Sequence, residues 1–252
     1  MMDIENIFQS NDYPTPQNIK NDGKIHRFGK KDKYWYICYD NWIVAGDWTG
    51  NLPKISQPIN QVQYNFLPFP DREYLKHKAK QAIKKADAER QKDYEKTALE
   101  AQSLWHDLKN EGESLYLQNK NLKPIQGIKF GNDYCGNFIA IALIDNDDKI
   151  WTLQKIYDKT FVKGGNKSFL KGGKVKGCYS LFGNLKSLTI YICEGVATAL
   201  SVLLAMPESL VVVAYSCHNF DLVAKSIKTR FKGAKIHIIA DNDLIKSEVK
   251  NG

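Results

Sequence analysis

LTIYICEGVATALSVLLAMPESLVVVAYSCHNFDLVAKSIKTRFKGAKIHIIADND (188–243) is the stretch that decides the fold. It holds three apolar runs, LTIYIC (188–193), LVVVAY (210–215) and KIHIIA (235–240), which read as strands buried on both faces. Between the first two, GVATALSVLLAM (195–206) ends before Pro207. Between the last two, NFDLVAKSIKTRF (219–231) spaces Phe220, Val223, Ile227 and Phe231 along one face and stops before Gly233, so both segments predict helices. Strand, helix, strand, helix, strand predicts a parallel, Rossmann-like α/β sheet, in which chemistry gathers beyond the C-terminal ends of the strands.

Those ends carry carboxylates. The first strand finishes in Cys193-Glu194-Gly195, with an acid presented just before a helix starts, and the third finishes in Ala240-Asp241-Asn242-Asp243. Residues two apart in an extended segment point the same way, so Asp241 and Asp243 can face one cation. Three carboxylates from two strand ends make a hard, oxygen-lined site suited to Mg²⁺, which keeps positions open for water and phosphate. Asp-Asn-Asp also occurs at 145–147, between GNFIAIALI (136–144) and KIWTLQKIY (149–157), where a hairpin turn explains it.

Upstream, KTFVKGGNKSFLKGGKVKGCYSLFG (159–183) gathers Lys159, Lys163, Lys167, Lys171, Lys174 and Lys176 with paired glycines at 164–165 and 172–173. Glycines let backbone amides approach phosphates, lysines supply charge, and the interleaved Phe161, Phe169 and Tyr179 can stack on unpaired bases. The alternative is a solvated hairpin whose lysines keep it in solution. Further back, residues 71–111 turn to Lys, Ala, Glu and Gln, with helical spacing of Leu75, Ala79, Ala82, Ile83 and Ala86 and Asp71 as the expected cap. The expected organisation is a small β-rich module over 1–70, a long charged helix over 71–112, a β-rich basic subdomain over 113–183 and an α/β domain over 184–252. The fold class is therefore α+β with antiparallel strands in the N-terminal and central parts, followed by a C-terminal α/β domain. Trp35, Tyr36, Trp42 and Trp48 read as the core of the first module.

Composition narrows the function classes. A formal charge of +8 favours a polyanionic partner. No run approaches the roughly 18 apolar residues of a membrane helix, and MMDIENIFQS lacks the layout of a signal peptide, so a cytoplasmic protein is expected. The five cysteines (Cys38, Cys135, Cys178, Cys193, Cys217) form no CxxC or Cys/His cluster, which argues against a zinc site and a disulfide framework. No GxxxxGK[ST] phosphate loop occurs, so any helicase is a separate partner. His26, His77, His106, His218 and His237 make no metal or nucleophile pattern.

ICEGVATALS (192–201) and IIADND (238–243) resemble the Toprim domain shared by topoisomerases and bacterial-type primases, in the forms seen in phage- and plasmid-encoded primases. FLKGGKVKGCYSLFG (169–183) is similar to the glycine- and lysine-rich stretch before Toprim in those primases, and HRFGKKDKYWY (26–36) with GDWTG (46–50) looks like their front end. The resemblance implies synthesis of short RNA primers on single-stranded DNA from NTPs. It implies Glu194 as metal ligand or general acid/base, and Asp241 and Asp243 as ligands of Mg²⁺ or Mn²⁺. Gly195 would permit close backbone approach, and Lys163, Lys167, Lys171, Lys174 and Lys176 would bind nucleic acid or NTP. Two departures stand out: the zinc-binding front domain of cellular primases is absent, and only residues 244–252 follow Asp243, where Toprim domains continue with a further strand and helix. An incomplete sheet or a piece of a longer polypeptide is the expectation. The competing readings are a Toprim-type metal-dependent nuclease and a non-catalytic single-strand-binding replication accessory.

Overall fold

The computed structural model of the chain describes residues 4–161 and 165–240. The chain divides into two compact units, Met1–Asp93 and Tyr94–Gly252.

The first unit opens with helix α1 (Ile4–Gln9) and continues into an antiparallel meander of β1 (His26–Phe28), β2 (Tyr34–Tyr39), β3 (Trp42–Asp47) and β4 (Ile55–Pro58). A two-residue turn at Asp40-Asn41 joins β2 to β3, with Asp40 in the left-handed region at φ 49°, which a short polar side chain tolerates. Side chains alternate across this sheet. Tyr36, Cys38, Ile43 and Ala45 pack with Ile7 and Phe8 of α1, while Trp35, Ile37, Tyr39, Trp42 and Val44 pack with Leu75, Ala79 and Ala86. The last three belong to α3 (Phe69–Asp107), which follows the short α2 (Gln61–Phe66). α3 starts two residues before the expected cap: Asp71 lies in its first turn, where a carboxylate suits the positive end of the helix.

The second unit takes the end of α3, the short α4 (Leu115–Gln118) and an antiparallel sheet of β5 (Ile128–Asp133), β6 (Gly136–Ile144), β7 (Ile150–Tyr157) and β8 (Lys167–Phe169). Asp145 Oδ1 accepts from the amides of Asp147 and Lys149, closing the β6–β7 turn that the first Asp-Asn-Asp makes. Trp105 of α3 and Leu108, just after it, pack on Phe138, Ala140 and Tyr157.

The second sheet of this unit is built from β9 (Ser180–Gly183), β10 (Thr189–Cys193), β11 (Leu210–Val213) and β12 (Lys235–Ile239), with α5 (Val196–Ala205) and α6 (Phe220–Arg230) as crossovers. Its order is β12-β10-β11-β9. The three expected strands pair in parallel, but β9 adds antiparallel to β11, so the sheet is mixed rather than wholly parallel. The short run SLFG (180–183), at the tail of the basic stretch in sequence, supplies that edge, and Gly183 permits it: a Cβ there would lie 2.5 Å from Ser209 O. β11 and β12 flank β10 on opposite sides. Val196, Ala199 and Leu200 of α5 cover the face with Cys193, Val211 and Val213, and Val223 and Ile227 of α6 cover the face with Ile190, Ile192 and Val212. This burial on both faces explains the unbroken apolar runs. Among the described residues, no helix is long and apolar enough to cross a membrane.

Candidate active site

β10 is central and the chain leaves it first to one side and then to the other, and in open α/β sheets ligands settle beyond the strand ends at such a reversal. Register fixes the level of the two ends: Cys193 lies opposite Ile239. Glu194 follows Cys193 directly and is half-buried. Its carbonyl accepts from the Tyr215 amide at 3.0 Å, and the Cys193 carbonyl accepts from the Ala214 amide at 2.9 Å, so the strand end is held by β11 one residue beyond the strand itself. Asp241 and Asp243 follow β12 in sequence and lie outside the described residues. Among the described residues, no group of three or more His, Cys, Asp or Glu side chains could hold a metal ion.

Gly195 is the N-cap of α5, with φ −117° and no side chain capping the helix. That backbone conformation is open to any residue. A Cβ at 195 would meet only Thr198 Oγ1 at 3.9 Å. Among the described residues, packing therefore does not demand glycine here, and the helix dipole makes the uncapped helix start favourable for an anion.

The basic stretch is brought to the same end of the sheet, because Phe169 of β8 meets Tyr215 edge-on at 5.7 Å. Lys167, Lys171 and Lys176 are exposed. Lys174 is half-buried, its ammonium 4.2 Å from the centre of the Trp151 ring. Lys163 lies outside the described residues. The three interleaved aromatics divide. Tyr179 is 0% exposed and its hydroxyl accepts from Arg230 while donating to Asn146 Oδ1, so it cannot stack on a base. Phe161 is half-buried against Tyr157, and Phe169 is 37% exposed. Gly173 also departs from the expected role: a Cβ there would lie 2.5 Å from Thr152 Cβ, so this glycine lets the chain pack on β7 rather than admit a phosphate.

Two residues that the sequence did not single out organise this end. Asn219, 4% exposed, accepts from the Gly177 amide at 2.7 Å and donates to the carbonyls of Cys178 (3.0 Å), Ala214 (2.9 Å) and Val175 (3.3 Å). It thereby ties the basic stretch to the end of β11. Tyr215 sits in the left-handed region at φ 67°, rare for a non-glycine residue, and its hydroxyl pairs with Ser180 Oγ. Burial raises the Tyr215 hydroxyl well above the usual phenol range, so it remains protonated. Both residues fall in YSCHN (215–219), a loop whose only advance sign was its place after an apolar strand. Burial likewise pushes the Cys178 thiol up to about 12 and the Cys38 thiol up to about 11, which suits inert core cysteines.

No family model and no curated protein matches the chain. Among solved structures it is similar to the Aquifex aeolicus primase, in a crystal structure of that protein's zinc-binding and RNA polymerase domains; the match covers 86% of this chain and 67% of that one at 10% identity, with a TM-score of 0.35.

Proposed function

We propose that the chain is a Toprim-type primase, or the catalytic core of one, that extends short RNA strands on single-stranded DNA in the replication of phages or plasmids. The observation that supports this reading is the adjacency of β10 and β12: Glu194 follows one parallel strand, and the Asp241-Asn242-Asp243 run follows its hydrogen-bonded neighbour from the same level. An all-oxygen donor set of this kind fits Mg²⁺ or Mn²⁺, held by Glu194, Asp241 and Asp243. When bound, the cation would supply neutralisation of the charge that develops on the reacting phosphate.

The chain's own residues would do the rest. The primer 3′-oxygen bonds to the α-phosphorus of an NTP, the bond from that phosphorus to the bridging oxygen breaks, and pyrophosphate leaves. Glu194, where it is not committed as a ligand, takes the 3′-hydroxyl proton. The start of α5 at Gly195, which no side chain caps, would stabilise phosphate oxygens through its backbone amides. Lys167, Lys171 and Lys176 would hold the template backbone, and a replicative helicase would act from a separate chain.

The test is primer synthesis on single-stranded DNA with labelled NTPs and Mg²⁺ or Mn²⁺, comparing the natural sequence with Glu194→Ala and with Asp241→Ala/Asp243→Ala. Short labelled products that vanish in both variants are expected. Metal-dependent scission of the template without NTPs would replace this reading with a nuclease on the same carboxylates. Binding without either product would leave a single-strand-binding accessory.

A further inference from the structure

β8 is the edge strand of its sheet, paired only to β7, and its burial alternates exposed, half-buried, exposed. Lys167 and Phe169 therefore share the open face, about 7 Å apart along the strand, a separation that one nucleotide's phosphate and base can span. Phe169 is 37% exposed, so part of its ring is left for a base to cover. Here it is also backed: Tyr215 meets it edge-on at 5.7 Å, is itself fixed through its hydroxyl to Ser180, and donates its amide to Glu194 O. Ser180 in turn donates to the Ala142 carbonyl of β6, so the ring is braced from both sheets of the unit. Tyr215 holds its left-handed backbone without glycine, an arrangement that persists only where surrounding contacts over-determine it.

We propose that Lys167 and Phe169 form a single-nucleotide subsite for unpaired nucleic acid, the base stacking on Phe169 and its phosphate on Lys167. Tyr215 is a positioning residue that holds the ring beside the Glu194 strand end. The placement of this subsite next to a reacting centre rests on the nucleotidyl-transfer reading; the binding itself does not.

The experiment is fluorescence anisotropy of the full chain with an end-labelled oligo-dT and with an abasic oligonucleotide of the same length, which keeps the phosphates and lacks the bases. The natural sequence prefers oligo-dT. Phe169→Ala weakens oligo-dT binding about tenfold, in the range of one base–aromatic stack, and leaves the abasic strand unchanged. Phe169→Trp retains the preference. Tyr215→Leu loses part of it, and Tyr215→Phe, which keeps the ring contact but not the bond to Ser180, loses less; far-ultraviolet circular dichroism checks that each variant is folded. The subsite is overturned if Phe169→Ala binds oligo-dT as tightly as the natural sequence, if both strands weaken equally, or if the natural sequence does not distinguish them. The two readings separate cleanly. A Phe169 effect on binding in a chain that makes no primers keeps the subsite and removes the polymerase. Normal priming with no Phe169 effect does the reverse.

Discussion

A methyl group added at Gly173 would meet Thr152, whereas one added at Gly195 would find only Thr198 Oγ1 at an ordinary van der Waals distance. The two glycines serve opposite ends, one packing and the other access. Thr152 lies fully inside the unit, so the neighbour cannot swing away, and Gly173→Ala is expected to cost about 1–3 kcal/mol as overpacking. Gly195→Ala keeps an accessible backbone conformation and should change stability by less than about 1 kcal/mol, the difference between two weak N-caps. If a phosphate approaches the start of α5, primer synthesis falls in Gly195→Ala while its thermal midpoint hardly moves. Thermal melts beside the primer assay test both statements. Equal melting of the two variants would mean that β7 and the basic stretch part easily.

At the scale of elements, Asn219 is the joint between the basic stretch and β11. Asn219→Ala would leave the Gly177 amide and the carbonyls of Val175, Cys178 and Ala214 without this partner in a site closed to water, so a loss of about 2–3 kcal/mol is expected. Urea titration reads this as a lower midpoint at unchanged slope. A loss under 0.5 kcal/mol, the range of a surface change, would mean that water replaces the side chain. Asn219 also shows why sequence reading stopped where it did. The strands β10, β11 and β12 were legible as unbroken apolar runs and the helices α5 and α6 from their helical spacing, and the place of Glu194 at a strand end was legible because it follows such a run. The long helix α3 was legible from its change of composition. β9 was not, since SLFG is no apolar run, opening in Ser180 and closing in Gly183, and it is recruited by β11's open edge. Asn219, Tyr215 and Ser180 were not, because their roles come from hydrogen bonds between segments tens of residues apart, such as Asn219 to Gly177. Tyr179 misled in the other direction: an aromatic among lysines looks like a stacking residue, and only burial reveals it as core.

At the scale of the whole molecule, a charge of +8 says that polyanions are attracted without saying where they bind. The disposition of individual lysines sharpens that statement. Lys167 and Lys171 present their side chains to solvent, whereas the Lys174 ammonium lies over the Trp151 indole, which Lys149 approaches from 3.9 Å. A cation over a ring is already partly stabilised and releases less on meeting a phosphate. Counterion release converts this difference into a slope. On single strands each neutralised phosphate contributes about 0.7 to the dependence of log affinity on log salt, so Lys167→Gln/Lys171→Gln should flatten the slope by about 1.4. Lys174→Gln should leave the slope within about 0.3 of the natural sequence, well under one phosphate's worth, while lowering stability by about 0.5–1 kcal/mol through the lost ring contact. Titrations at several salt concentrations separate the three lysines. Should Lys174→Gln flatten the slope as much as one exposed lysine does, the ammonium must leave Trp151 when nucleic acid binds, and the whole of KGGKVK (171–176) would then act as the binding segment.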